Sequence, residues 1–229
     1  MVVRIWQSQD GLPGNVVRSV VQAGDGYLWV ATAEGVARFD GFEFELIEPE
    51  GDLRRNRLAF SRLFAGTAGQ VWATTYQGGL YRSNNGRFRQ ILENARGPQP
   101  PLVTQLIANA DGTVVFKRGG EFGAVSIEGA VSPVTPSPDL LRRFEEDMAG
   151  RLRSGRVQDP AGGLVLEDRL GQSWRGGAAM GLSVTAVGHA EIPVELPQIG
   201  QAYGISELLE DREGNIWLAT HVHGLVRVR

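Results

Sequence analysis

A short motif recurs five times along the chain at nearly constant spacing. DGYLWVAT (25–32), AGQVWATT (68–75), DGTVVFKR (111–118), LGQSWRGG (170–177) and EGNIWLAT (213–220) align on a glycine three residues ahead of a tryptophan. The glycines are Gly26, Gly69, Gly112, Gly171 and Gly214, so the intervals are 43, 43, 59 and 43 residues. The third copy carries Val115 where the others carry Trp29, Trp72, Trp174 and Trp217. A second element follows each copy: GVARFDG (35–41), GLYRSNNG (79–86), GAVSIEG (123–129), GLSVTAVG (181–188) and GLVRVR (224–229). Each opens on glycine and then alternates apolar residues with others. A period of this length marks one supersecondary unit per copy, which buries its apolar face only against its neighbours.

Each unit reads as four strands. In the first they are VVRSVVQA (16–23), YLWVAT (27–32), GVARFD (35–40) and FEFELI (42–47). Alternation is the period of a strand, and Gly and Asp at the joints supply the turns. Four short antiparallel strands per repeat predict an all-β chain: a β-propeller of five four-stranded antiparallel blades in a single domain over 1–229. The blades are expected at about 16–47, 58–92, 102–135, 162–196 and 203–229. A large ring at a fixed place in each repeat reads as packing between neighbouring blades. The last copy stops after its third strand, while VVRIWQS (2–8) precedes the first; residues 2–8 are expected to complete the last blade and cover both open edges. The long interval predicts a helical insertion over 137–153, with Ser137 as N-cap, Pro138 at the first helical position and Asp139 at the positive dipole end. Leu140, Leu141, Phe144, Met148 and Leu152 fall on one face of that helix.

Composition removes several classes of function. A formal net charge of −3 argues against nucleic acid as a partner. No apolar run is long enough to cross a bilayer, so no direct membrane insertion is expected of this segment. Cysteine is absent, which excludes disulfides and thiolate metal sites and leaves the compartment open. The N-terminus lacks a basic region followed by an apolar one. Phosphate-binding, zinc-protease and Gly-x-Ser-x-Gly motifs are missing, and no cofactor, metal or catalytic residue is assigned.

Candidate ligand-binding residues come from the loops that would share a face with the channel mouth. Between second and third strands these are Tyr76, Gln77, Lys117, Arg118, Arg175, His221 and His223. Ahead of the second blade lie Arg54, Arg55 and Arg57, and Tyr203 precedes the inner strand of the fifth. The cations suit a small molecule or glycan that is anionic, such as an acidic sugar. THVH (220–223) places two histidines two residues apart, but the other histidine is His189, in another repeat, and a metal needs more ligands. Inner strands offer two sets of residues. Arg18, Ser61, Thr104 and Ser206 lie eight residues before the repeat glycine, and Ser19, Arg62, Gln105 and Glu207 lie seven before it. Side chains alternate along a strand, so one of the two sets faces the channel.

The segment 6–44, with its DGLP turn (10–13), Asn15, the DGYLW core, Ala31–Thr32 and RFDG (38–41), resembles the two-component regulator propeller repeat. That family forms the extracytoplasmic sensor region of bacterial hybrid sensor kinases, histidine kinases and some diguanylate cyclases. The resemblance implies a periplasmic or extracellular, non-enzymatic sensory or ligand-binding propeller that passes its signal to an adjacent signalling domain or a second protomer. Family members hold seven blades, so five leave both a closed ring and a fragment open. Two alternatives stand beside this expectation. One is an enzyme, lyase- or glycosidase-like, that acts at the channel mouth through His221, His223 or Glu207. The other is a protein-interaction scaffold.

Overall fold

The structure is a computed structural model and describes residues 2–50, 59–67, 69–84, 86–150, 157–158, 162–177, 181–196 and 204–229. The first repeat forms β2 (Val17–Gln22), β3 (Leu28–Thr32), β4 (Val36–Phe39) and β5 (Phe44–Pro49), after β1 (Val3–Trp6) at the N-terminus. The second forms β6 (Phe60–Ala65), β7 (Val71–Thr75), β8 (Leu80–Asn84) and β9 (Arg87–Leu92). The third forms β10 (Val103–Ala108), β11 (Val114–Arg118), β12 (Glu121–Val125) and β13 (Val131–Pro133). A helix, α1 (Pro138–Gly150), and the two-residue β14 (Val157–Gln158) follow. The fourth repeat holds β15 (Leu164–Glu167), β16 (Ser173–Gly176), β17 (Leu182–Thr185) and β18 (Ile192–Val194). The fifth holds β19 (Ile205–Glu210), β20 (Ile216–Thr220) and β21 (Leu225–Val228). The repeat glycines sit in the hairpin between the first two strands of each unit with φ of 94°, 77°, 82°, 76° and 82°, a left-handed conformation that costs any other residue strain.

The strands assemble into four sheets, which corrects the expectation of a propeller of five separate four-stranded blades. The first two repeats merge into one eight-stranded sheet, ordered β2-β3-β4-β5-β9-β8-β7-β6. The merger is a short parallel pairing of the outer strands, Glu48 with Arg87 and Pro49 with Phe88, extended by the Glu50 N–H to the Phe88 carbonyl at 2.8 Å. The two edges of this sheet also meet, because the Leu63 N–H of β6 donates to Ser19 Oγ of β2 at 3.1 Å. The sheet thus nearly closes on itself, like a barrel. The third repeat makes a separate four-stranded sheet, the fourth a five-stranded one ordered β14-β15-β16-β17-β18, and the fifth a four-stranded one ordered β1-β21-β20-β19. The repeat period specifies hairpins. It does not specify how outer strands of adjacent units pair, which depends on the few residues at β5 and β9.

β1 lies antiparallel on β21 with Val3 opposite Val228 and Trp6 opposite Leu225. This pairing brings the two ends of the chain into one sheet. Trp6 is 2% exposed and stacks on Trp217 with ring centroids 5.2 Å apart. The Arg4 and Arg227 guanidinium carbons lie 4.6 and 5.5 Å from the centre of the Trp6 ring.

Burial explains the repeat tryptophan. Trp29 packs among Phe60, Leu63, Tyr81 and Phe88 of the second repeat. Trp72 packs among Val103, Leu106 and Phe116 of the third, and Trp174 among Leu208, Ile216 and Leu218 of the fifth. Trp217 packs among Val20, Val30 and Phe39 of the first. Each indole therefore serves the interface with the next unit in the ring order. Val115 is the exception that shows the rule: its neighbours are Leu140 and Phe144 of α1. The helix takes the position of a following unit against the third repeat, and its bulk replaces the ring that Val115 lacks. The described residues of α1 include the amphipathic face, with Leu140 and Phe144 buried and Leu141 exposed. Leu152 lies outside the described residues, as does the side chain of Met148.

A buried aspartate completes the interface in two of the repeats. Asp211, 4% exposed, accepts the Trp217 indole N–H at 2.6 Å and the Asn215 amide at 2.7 Å on one oxygen. Its other oxygen accepts the backbone N–H of Asn215 at 2.7 Å. Asp168 accepts the Trp174 indole N–H in the same way at 2.8 Å. The first two repeats carry Ala23 and Gly66 at this position, and the indole N–H groups of Trp29 and Trp72 have no hydrogen-bond partner among the described residues.

Two substitutions test these interfaces by urea unfolding. Asp211→Ala leaves the Trp217 indole and the Asn215 donors buried and unpaired, so it lowers stability by about 3 kcal/mol. Trp6→Ala removes the ring that joins the two ends of the chain, and the loss is about 3–5 kcal/mol. An unchanged midpoint in either variant contradicts the corresponding role.

Candidate functional site

The inner strands of four repeats share a defect at the same place. The register slips between Val17 and Ser19, between Phe60 and Arg62, between Val103 and Gln105, and between Ile205 and Glu207. The extra residue in each case is Arg18, Ser61, Thr104 or Ser206, so these four β-bulges sit at one repeat position. A bulge frees a residue from the ladder and re-aims its side chain. All four bulge residues line a cavity of about 520 Å³. Hydroxyls at two of the bulges bond across their own ladder, Ser61 Oγ to the Thr74 carbonyl at 3.1 Å and Ser206 Oγ to the Ala219 carbonyl at 3.1 Å, and Ser206 Oγ also reaches the Val17 carbonyl of the first repeat at 2.8 Å.

The set one residue later turns the other way, with one exception. Ser19 Oγ accepts the Leu63 N–H, and Glu207 Oε2 accepts the Val20 N–H at 2.8 Å, so each joins its inner strand to the next unit. Gln105 makes the corresponding link to α1, donating to the Phe144 carbonyl at 3.0 Å. Arg62 is the exception: it is exposed and lines the cavity. Glu207, considered as a channel carboxylate, is 4% exposed and committed to the interface with the first repeat.

The cavity wall also carries Tyr76, Leu102, Ile205 and His221. Arg18 is half-buried; its Nη1 donates to the Phe60 carbonyl at 3.2 Å and its guanidinium carbon lies 4.9 Å from the centre of the Tyr76 ring. His221 is exposed and sits in the turn after β20, held by its N–H to the Gly204 carbonyl at 2.9 Å. Gly204 has φ of 53°, and a Cβ there would lie 3.2 Å from the Cβ of His221. The described lining contains no carboxylate, and no cluster of three metal-ligating side chains occurs among the described residues.

The sequence candidates divide into three groups. Tyr76 and His221 line the cavity. Arg54, Arg55, Arg57 and Tyr203 lie outside the described residues. The others are placed elsewhere: Gln77 is exposed beside Tyr76, and the His223 N–H donates to Thr220 Oγ1 at 2.9 Å within the turn. Arg118 donates to the carbonyls of Pro101 and Glu93 at 3.2 and 3.1 Å, and Lys117 Nζ lies 5.7 Å from the Phe122 ring centre. Arg175 faces Glu191 at 3.8 Å. The converging cations are thus Arg18 and Arg62 of the inner strands. Their signal in the sequence is the repeat position, eight and seven residues before the glycine.

The profile of the two component regulator propeller family matches residues 11–34. The chain resembles two-component sensor propeller domains distantly and in part. Comparison with curated protein sequences gives no match. Among solved structures, the extracellular domain of a hybrid two component system from B. thetaiotaomicron aligns with 99% of this chain at 14% identity and a TM-score of 0.59. The chain spans only 41% of the length of that protein. A glucose dehydrogenase aligns over 100% of this chain and 99% of its own, at 12% identity and a TM-score of 0.56. An oxidoreductase (glucose dehydrogenase) from Thermus thermophilus aligns over 99% of both chains, at 14% identity and a TM-score of 0.53.

These likenesses are of fold, and they correct the expectation of a non-enzymatic sensory chain. The fold spans the whole of proteins named as enzymes, while the sensor likeness covers less than half of its counterpart. The family profile itself matches only residues 11–34, so the expected assignment to sensing and signal transduction is not carried by the chain as a whole. No helix among the described residues is long and apolar enough to cross a membrane.

Gly204→Ala tests how His221 is held. The added methyl group meets the His221 Cβ and strains a left-handed backbone, so the His221 imidazole resonances shift in a two-dimensional NMR spectrum while those of His189 stay. Unmoved His221 signals in a folded variant contradict the placement.

Proposed function

We propose that the chain is an enzyme of lyase type, acting by imidazole acid–base chemistry on a small hydroxylated carbonyl compound in the 520 Å³ cavity. The observation that carries this reading is the composition of the cavity wall: one imidazole, two guanidinium groups and three bulge hydroxyl side chains, with no carboxylate among the described lining residues. Hydrolysis of a glycoside by a pair of carboxylates needs two acids across the bond, and Glu207 is turned away. An imidazole can take a proton from carbon next to a carbonyl and return it to a leaving oxygen. In that elimination the carbon–hydrogen bond pair forms the new double bond, the carbon–oxygen bond breaks, and the proton on His221 passes to the departing oxygen. A guanidinium beside the carbonyl stabilises the charge that develops there. The cavity volume fits a single monosaccharide-sized ligand.

An extracytoplasmic setting is part of the same proposal. It is supported by the name of the B. thetaiotaomicron domain, whose likeness covers nearly the whole of this chain.

Turnover of a panel of hydroxylated acids and lactones, followed by the ultraviolet absorbance of the conjugated product, tests the function. His221→Ala lowers kcat by at least about a hundredfold, in the range set by loss of a general acid–base group. His223→Ala, which alters a side chain outside the cavity wall, leaves kcat within about threefold on the same scale. Turnover that survives in His221→Ala overturns the assignment.

A further inference from the structure

We infer that Arg18 is the substrate's anion anchor, and that the substrate carries a carboxylate beside its hydroxyl groups. This rests on the proposed function and names the chemical class that its cavity takes.

Arginine is the longest of the four bulge residues, and its strand defect places it on the cavity wall. Its guanidinium is not loose. The Phe60 carbonyl takes one N–H of Nη1 at 3.2 Å, and the Tyr76 ring lies against it at 4.9 Å. These two contacts come from the second repeat and orient the group across the joint between units. They engage one of its five N–H donors and one face. No carboxylate of the described residues pairs with it. By contrast, Arg38 binds Glu45, Arg142 binds Asp139 and Glu146, and Arg169 binds Glu210.

A half-buried, oriented guanidinium with donors to spare matches a planar carboxylate, which it holds by two parallel hydrogen bonds. Ser61, Thr104 and Ser206 occupy the equivalent bulges of three other repeats and line the same cavity. Ser206 donates its proton to backbone carbonyls, and Ser61 pairs with both the carbonyl and the hydroxyl of Thr74, so each oxygen keeps a lone pair with which to accept. Acceptors of this kind suit hydroxyl groups of the substrate. One cation and a set of hydroxyl-reading oxygens, arranged by one repeat position, describe a site for a sugar acid.

The test is calorimetric titration of the full chain with galacturonate and with galactose, which differ in the carboxylate. The acid binds the wild-type chain more tightly by about ten- to a hundredfold, as expected for charged hydrogen bonds. Arg18→Met keeps an apolar stem against Tyr76 and loses this preference. Arg18→Lys keeps the charge without the fork and retains only part of it. Arg118→Ala, at a side chain tied to the Pro101 and Glu93 carbonyls away from the cavity wall, retains it. Circular dichroism of each variant confirms the fold before titration. Equal binding of the two sugars by the wild type, or a preference that persists in Arg18→Met or disappears in Arg118→Ala, overturns the assignment of Arg18 and leaves the His221 chemistry standing. A chain that binds neither sugar overturns the anchor, and turnover of other carbonyl compounds then decides the proposed function separately.

Discussion

The contact on which the molecule depends is a side-chain hydrogen bond that joins an inner strand to the adjacent unit. A side chain seven residues before the repeat glycine reaches the neighbouring unit: Glu207 takes the Val20 N–H, Ser19 takes the Leu63 N–H, and Gln105 gives its amide proton to the Phe144 carbonyl. An inner strand beside a cavity has backbone donors that its own sheet does not use. A buried donor left unpaired is costly, so a polar side chain from the adjacent unit must satisfy it. This requirement sets the distance and orientation between units. The tryptophan layer then fills the space that the hydrogen bond defines, and the bulge one residue earlier is free to face the cavity.

Structure and site therefore come from adjacent positions of one repeat. The residue at the bulge meets the cavity and, except for Arg62, the next residue meets the neighbour. Changes of side chain at the bulge alter the cavity wall directly, although Arg18 and Ser206 also reach a carbonyl of the neighbouring unit. The arginines of the hairpin turns work on the same plan at the other end of the strands. Arg169 binds Glu210 and the backbone carbonyls of Asp211 and Arg212, and Arg212 donates to the Gly24 carbonyl at 3.0 Å.

Much of this was legible in the sequence and some was not, for physical reasons. Alternation and glycine spacing reveal hairpins because strand period and positive φ are local properties. The packing role of Trp29, Trp72, Trp174 and Trp217 was equally legible, since a large ring at one repeat position has a repetitive partner. The union of the first two repeats through Glu48 and Arg87 was not, because pairing between units depends on non-local geometry. The cavity wall was half legible. The two inner-strand sets could be written down from the repeat, but the bulge that selects Arg18 over Ser19 leaves no mark in residue type. The loop cations Lys117, Arg118 and Arg175 misled because charge alone does not reveal whether a side chain is already tied down. Glu207 misled for the same reason: a carboxylate near a channel is chemically suggestive, yet its oxygen is spent on the Val20 N–H.

The helix that replaces a unit against the third repeat makes one joint unlike the rest. Among the described residues, its core is Val115, Leu140 and Phe144, a smaller apolar cluster than the one that joins the first two repeats. Where burial is least, local opening is easiest. The cavity wall crosses this joint, with Leu102 and Val103 on one side and Gly162 and Leu164 on the other. The insertion that interrupts the repeat thus sets the least apolar of these joints beside the cavity.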